Sequence, residues 1–532
     1  QRLASAIRAA LMHYRTWAAN FYNPTPHGQV FLSPCLPVQS LSMSSTIGSE
    51  PLDAHSEAFL HEAAASKFDF HSVSVKAAGD ERLKTAINNA VLKQYTARQL
   101  RLLDLPDADR LRTLAGDIKQ HALDYLDYYL VQLQQNVRKN GGHLHFACSG
   151  DEAKQIILDI AKNANCKSVI KSKSMVSEEI ELVHTFEANG INVVETDLGE
   201  FIIQIGKDKP SHLVAPIVHK DRQSCGRLFS EYFGTPYTDD PQALTMQARK
   251  HMRDRFRTAD MGMTGGNFLV AETGQVCVVE NEGNARHSVT SPRVLVSLVG
   301  IEKVVPRLVD LAVMLKLLAR SATGQPFTVY TNIFGGPRKP GQKDGPEEFH
   351  IVLLDNGRSE ILAGEYRETL RCIRCGACLN ACPVYRKIGG HAYGSVYPGP
   401  IGALITPLFQ GLGNFKDLPQ ASSLCGACYE ACPVKINIPQ HLINMRRDIV
   451  NSHLNGFLER AIYRLWAWSL KSPLLYKLGS IMQKWELRRR AKKTGWVKKM
   501  PMVGSGWTQI RDMPAPARKT FHQMWAKRDH RN

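Results

Sequence analysis

The residues best placed to do chemistry in this 532-residue chain are two runs of cysteine at matching spacing. The first reads Cys372-Ile-Arg-Cys375-Gly-Ala-Cys378-Leu-Asn-Ala-Cys382-Pro383. Fifty residues later comes Ser422-Ser-Leu-Cys425-Gly-Ala-Cys428-Tyr-Glu-Ala-Cys432-Pro433. Both contain C-G-A-C-x-x-A-C-P-V, so the segment is an internal repeat, and Ser422 stands where the first copy has Cys372. C-x2-C-x2-C-x3-C-P is the ligand run of bacterial two-cluster ferredoxins, in which the fourth cysteine serves the other cluster.

Thiolates must reach a small iron–sulfur cube from several directions. A tight C-x2-C-x2-C loop presents three of them while backbone N–H groups face the inorganic sulfides. Crossed ligation assigns Cys372, Cys375, Cys378 and Cys432 to a [4Fe-4S] cluster, and Cys382, Cys425 and Cys428 to a second, with Ser422 facing its fourth iron. Three outcomes follow for that second cluster: ligation through the serine oxygen, a [3Fe-4S] cluster, or a [4Fe-4S] cluster with one open iron. Zinc closes on four ligands and fits seven cysteines in tandem badly. One cluster beside a decayed second site is the remaining alternative.

Composition agrees with metal rather than disulfides. Seven of twelve cysteines sit in the two runs, and such clustering in a long chain points to metal. Cys35, Cys148, Cys166, Cys225 and Cys277 are scattered and read as small buried hydrophobes. Iron–sulfur chemistry implies a reducing cytoplasm. Nothing at the amino end has the pattern of a signal peptide, and no uncharged apolar run is long enough to span a bilayer.

The net charge of +18 is concentrated: residues 441–532 hold 20 Lys and Arg against five Asp and Glu. Six of the seven tryptophans lie there too, at 466, 468, 485, 496, 507 and 525. Basic residues interleaved with Trp suit the inner membrane surface or an acidic partner. A solvated tail wrapping its own domains is the plainer reading. No nucleic-acid reading motif is present, so no nucleic-acid partner is expected.

The elements that must position the cysteines come earlier. Residues 1–60 read as an extension: a basic amphipathic helix over Gln1–Trp17, then a Pro/Ser-rich linker over Asn23–Ser45. Residues 61–140 are helical, with Leu83, Ile87 and Val91 at helical spacing and Gly141-Gly142 as a stop. From 141 to 356, strands at 143–147, 168–171, 191–194 and 201–205 alternate with helices at 151–163 and 176–189. That alternation argues for an α/β domain with a largely parallel sheet. Further strands are expected at 267–271, 275–279, 294–298, 328–331 and 350–354, the first two forming a hairpin across Glu272-Thr-Gly274. The two-cluster segment spans 357–440 and the basic tail 441–532.

In the α/β region His212, His219, Glu272 and Arg286 are candidates for catalysis. His212 or His219 would serve as an acid or base for a hydroxy acid, although a hydrogen-bonded structural histidine is the commoner role. Thr264-Gly-Gly-Asn267 offers backbone N–H groups to an anion. Glu272, Glu282, Asn284 and Arg286 would line the same edge, with Arg286 suited to a carboxylate; turn chemistry accounts for them equally well.

Three longer stretches carry a family resemblance: GGHAYGSVYPGPIGA at 389–403, SSLCGACYEACPVKI at 422–436, and NFLVAETG, NEGN and PRV between 267 and 294. Over roughly residues 60–510 the chain resembles the lactate utilisation protein B family, the iron–sulfur subunits of a bacterial L-lactate oxidation system. The resemblance implies an LUD domain of the isomerase/CoA-transferase-like α/β class, followed by an α-helical ferredoxin-like domain with two clusters. It implies that serine at 422 belongs to the pattern, and that the chain works with two other subunits to oxidise L-lactate to pyruvate, passing electrons to a membrane acceptor. With no flavin or nicotinamide fingerprint visible, the chain reads as a subunit of that complex rather than a self-sufficient dehydrogenase. The competing readings are a metabolite-binding redox sensor or scaffold, and an electron carrier subunit of another oxidoreductase complex.

Overall fold

The computed structural model describes residues 68–491, 494–500, 505, 506, 508, 511–526 and 528. The expected helix over Gln1–Trp17 and the linker over Asn23–Ser45 lie outside the described residues. Contacts divide the chain into two compact units, one ending at Ser452 and one beginning at His453.

In the first unit the strands in chain order are β1 (His143–Ala147), β2 (Ser168–Lys171), β3 (Asn192–Glu195), β4 (Met261–Thr264), β5 (Phe268–Val270), β6 (Gln275–Glu280), β7 (Val294–Gly300), β8 (Val304–Val305), β9 (Tyr330–Phe334) and β10 (Glu348–Leu354). Six form a wholly parallel sheet in the order β1-β10-β7-β4-β2-β3. Its central strand β7, Val-Leu-Val-Ser-Leu-Val-Gly, is buried at every position, as a strand covered on both faces must be. A smaller sheet, β8-β5-β6-β9, joins it, with β5 and β6 antiparallel. At the hairpin between them Gly274 has φ +69°, and a Cβ there would lie 2.6 Å from the backbone of Asn136 and Val137. Only glycine allows that approach to the helix Leu126–Lys139.

Two expectations need correcting. Residues 201–205 are not a strand but the end of a helix, Leu198–Ile205, begun by Asp197, whose side chain accepts the Glu200 amide at 3.1 Å. A short apolar run does not separate strand from buried helix, and the capping aspartate settles it. The helix expected over 176–189 is two, Met175–Glu179 and Leu182–Ala188, broken at Glu181 with φ +52°. Strand β4 was not anticipated at all.

Helices Glu81–Leu103, Ala108–Asp124 and Leu308–Thr323 pack together and against the cysteine segment. The α-helices of that segment, joined by turns, are Ala377–Ala381, Tyr385–Ile388, Gly399–Gln410, Ala427–Ala431 and Ile438–Asn451. Ile438, Leu442, Met445 and Ile449 of the last are buried, a regular apolar stripe.

The second unit holds helices Phe457–Leu470 and Pro473–Ala491 and a ribbon of β11 (Trp496–Val497) with β12 (Met513–Pro514). Its small core is Leu487, Ala491 and Val497. Among the described residues no helix is long and apolar enough to cross a membrane.

Candidate metal centre and adjoining cavity

The two cysteine loops open on matching bonds. In the first, Arg374 (φ +59°) donates its amide to Cys372 Sγ at 3.4 Å, and Gly376 (φ +74°) opens the helix Ala377–Ala381. In the second, Leu424 (φ +54°) donates its amide to Ser422 Oγ at 3.1 Å, and Gly426 (φ +84°) opens the helix Ala427–Ala431. Each helix ends on the fourth cysteine of its run. Cys382 Sγ accepts the Tyr385 amide at 3.5 Å and Cys432 Sγ the Ile436 amide at 3.3 Å. The prolines do not sit at a first helical position: Pro383 precedes the helix Tyr385–Ile388 by two residues, and Pro433 enters a turn before Ile438.

The sulfurs fall into two groups. Burial pushes the Cys375 thiol up to about 12, with Cys372 and Cys432 beside it. Burial likewise raises Cys432 to about 11, with Cys372 as neighbour. Cys378, raised by burial, feels Cys372, Cys375 and Cys432, and also Cys428 of the other group. Cys428 goes up to about 12 through burial and then Cys382, with Cys425 adding to it. Five of the seven sulfurs, Cys375, Cys378, Cys382, Cys428 and Cys432, are buried to a similar depth; Cys372 and Ser422 are half-buried, and Cys425 is exposed. Of the remaining cysteines, Cys166, Cys225 and Cys277 are buried as expected, Cys148 is exposed, and Cys35 lies outside the described residues.

Beside the first group lies a dense set of charges. The guanidinium of Arg358 grips Glu179 with Nη1–Oε1 at 2.9 Å and Nη2–Oε2 at 2.7 Å, and donates Nε to Glu302 Oε2 at 2.7 Å. Tyr397 donates its hydroxyl to Glu179 Oε2 at 2.6 Å. Arg374 lies over the Tyr397 ring, 4.5 Å from its centre, with Nη2 3.6 Å from Glu302 Oε1. Lys119 donates to the Glu302 carbonyl and to that of Val304 at 3.2 Å. Burial works to raise the Glu302 carboxyl, but Arg358, Lys303 and Arg374 hold it at about 2. Among the described residues the carboxylates that Lys119, Lys303, Arg358 and Arg374 meet here are Glu179 and Glu302, with the Cys372 thiol also beside Lys119, Lys303 and Arg374. An uncompensated buried charge is costly, so this pocket of protein is built to meet negative charge.

On the same side a cavity of about 280 Å³ opens between the α/β layers and the first cysteine loop. Its lining includes Ser172, Gly265 and Gly266 from the sheet side, and Lys303, Arg374, Cys375 and Tyr397 from the cysteine side. Glu282 and Asn284 also line it, whereas Glu272 and Arg286, expected on the same edge, do not. Glu272 accepts the Leu308 amide at 2.9 Å and so caps a helix. Arg286 lies on the exposed side, 5.8 Å from the centre of the Tyr330 ring.

Both candidate histidines are engaged by protein groups. Nδ1 of His212 accepts the amides of Val214 and Ala215 at 3.1 and 3.2 Å, and Nε2 meets Asn380 Oδ1 at 3.2 Å. Burial pushes it down to about 4, so it is neutral. It joins the loop before residue 217 to the first cysteine helix, and a Cβ on Gly376 would lie 3.2 Å from its Cε1. His219 bridges Ser211 Oγ at 2.8 Å and Asp208 Oδ2 at 3.0 Å. Asp208, His219 and His391 bring three ligating atoms within 4.8 Å of one another, but the Lys220 ammonium, 2.6 Å from Asp208 Oδ2, already supplies a cation there. Nothing in the spacing of the sequence pointed to Lys303, Ser172 or Arg374, which come together only through the fold.

A parallel α/β domain followed by helical cysteine-bearing segments defines the class: an LUD-domain protein with a two-cluster ferredoxin-like segment. The LUD domain family model matches residues 130–354, the 4Fe-4S dicluster domain model residues 368–436, and the model "Lactate utilisation protein B, C-terminal" residues 449–530. Lactate utilization protein B of Bacillus cereus (strain AH820) is 44% identical over 459 residues, covering 85% of this chain and 95% of that protein. Its counterpart in Bacillus cytotoxicus is 45% identical over 455 residues, covering 84% and 94%. The chain belongs to the lactate utilisation protein B family. A crystal structure of a DUF162 family protein from Deinococcus radiodurans aligns over 43% of this chain and 98% of its own at TM-score 0.25 and 13% identity.

Proposed function

We propose that the chain is the iron–sulfur electron-transfer subunit of a complex that oxidises L-lactate to pyruvate, working with two other lactate-utilisation subunits at the cytoplasmic face of the membrane. The observation that carries this reading is a pair of thiol groups of which the first adjoins a cavity and the second has a sulfur at the surface. Cys375 lines the cavity and Cys425 is exposed.

The donor set fits iron–sulfur clusters. Four soft thiolates, Cys372, Cys375, Cys378 and Cys432, would hold a [4Fe-4S] cluster; Cys382, Cys425 and Cys428, with Ser422 in the fourth position, would hold a [4Fe-4S] or [3Fe-4S] one. Bound clusters supply one-electron storage. The chain's residues do the rest: Arg358 and Glu302 lock the first loop against the α/β domain, and the buried lysines and arginines offset the negative charge of cluster and thiolates. Amides of Arg374, Tyr385 and Ile436 donate to sulfur and tune its electron richness. L-lactate to pyruvate releases two electrons and two protons; two one-electron centres in series suit its onward passage to a membrane acceptor. Exposed Trp466, Trp468 and Trp485 among basic residues suit contact with that membrane.

The test is dye reduction by the purified chain with both partner subunits, supplied with L-lactate. Absence of lactate-dependent reduction removes this reading and leaves that of a metabolite-binding redox sensor.

A further inference from the structure

We propose that the cavity beside the first cysteine loop is a binding site for a small 2-hydroxy- or 2-oxo-monocarboxylate, its carboxylate held by Lys303 and Arg374 and its 2-oxygen by Ser172. The choice of acid rests on the lactate reading above; the binding site itself rests on the polar groups the fold leaves open.

Three groups that line the cavity have unmet bonding capacity. Lys303 is only 6% exposed, yet its ammonium makes no hydrogen bond or ion pair among the described residues. Nη1 of Arg374 is buried without a partner, while its other nitrogen stands 3.6 Å from Glu302. Ser172 Oγ is buried and unpartnered too. Groups of this kind are expensive to leave unsatisfied. Two cations on one side of the cavity and a hydroxyl on the other match a carboxylate with an oxygen on the next carbon.

The neighbouring thiols alone do not account for this set. Lys119, which also feels Cys372, uses its ammonium on the carbonyls of Glu302 and Val304 and does not line the cavity. Ser172 is a sheet-side residue with no charge to offset. The size is right for a short acid: about 280 Å³ falls just below the ~300–1,000 Å³ of drug-sized sites. Asp197, Glu280 and Glu282 share the lining and repel a second carboxylate, which selects against dicarboxylates. Since Cys375 is part of the wall, an anion held here sits against the first cluster and makes its reduction harder.

The site is tested by isothermal titration of the full chain, purified anaerobically with its clusters, using pyruvate, propionate and malate as probes. Pyruvate is expected to bind saturably and more tightly than propionate or malate. Lys303→Gln is expected to weaken pyruvate by roughly tenfold or more with iron content unchanged, and Ser172→Ala to narrow the gap between pyruvate and propionate. In wild type, pyruvate is expected to lower the midpoint potential of the first cluster. No saturable binding, or equal pyruvate affinity in wild type and both variants, overturns the site. If Lys303→Gln loses iron, Ser172→Ala decides alone. Lys303-dependent pyruvate binding without lactate-dependent dye reduction keeps the site and removes the lactate complex; dye reduction with unchanged affinity in both variants does the reverse.

Discussion

The Leu424 amide donates to Ser422 Oγ at 3.1 Å, in the same turn in which the first loop gives its amide to a cysteine sulfur. The serine therefore stands in the second loop as Cys372 does in the first, with its oxygen already oriented by the backbone.

Ser422→Cys is the direct probe of that position. Low-temperature EPR of anaerobic wild type is expected to show a three-iron or site-open signal, and the variant a conventional four-iron one, with iron analysis rising if the wild-type cluster has three irons. Identical spectra and iron content in the two proteins would remove Ser422 from the cluster.

Arg358 is fully buried and holds two carboxylates, so Arg358→Ala leaves Glu179 and Glu302 uncompensated. Breaking such a buried pair costs about 3–5 kcal/mol. Urea unfolding of the iron-loaded chain, followed by far-ultraviolet circular dichroism, is expected to show the loss. A change below about 1 kcal/mol would mean that the network is redundant.

Three imidazoles meet across β1 and β10: His145 Nε2 is 3.1 Å from His350 Nδ1, and His143 stacks on His350 with ring centres 4.9 Å apart. Burial, then His350 and His143, push His145 down to about 4 from an ordinary 6.5. Between those values the unfolded chain binds the proton that the folded chain refuses. The stability that neutral His145 contributes is therefore fully present above pH 6.5 and is lost as pH falls from there towards 4. One such group gives a slope of at most about 1.4 kcal/mol per pH unit. Melting temperatures of wild type and His145→Gln between pH 7 and 4.5 are expected to converge towards the acid end; parallel curves would exclude the histidine as the cause.

In the second unit, helix Phe457–Leu470 has no buried residue, and Trp466, Trp468 and Trp485 are 58%, 61% and 66% exposed. Sedimentation with phosphatidylglycerol vesicles is expected to carry the full chain down at low salt and release it at high salt. Replacing the three tryptophans with serine is expected to weaken binding at both salts. Equal partition with neutral and anionic vesicles would argue against an electrostatic contribution.

Much of this was legible in the sequence. The cysteine spacing announced the paired loops because ligation fixes residue type and interval together. The parallel sheet announced itself through runs such as 294–298. Strand β4 is not legible, because Met-Gly-Met-Thr has little of the β-branched signal that marks a strand, yet it lies between β2 and β7 at the centre of the sheet. Residues 201–205 misled because five apolar-rich residues suit either element. The cavity was half legible: Glu282 and Asn284 came from a local motif, whereas Ser172, Lys303 and Arg374 are far apart in sequence and meet only after β2, β8 and the cysteine loop are packed.

The exposure of Cys425 has a consequence for how the protein ages. Oxygen and peroxide arrive from solvent, and Cys425 is the exposed sulfur of the seven, while Cys375, Cys378, Cys382, Cys428 and Cys432 lie beneath protein. Oxidative damage is therefore expected to begin at Cys425. An aged preparation would then not be a mixture of intact and dead molecules, but a population that has lost one thiol at the surface and kept the rest.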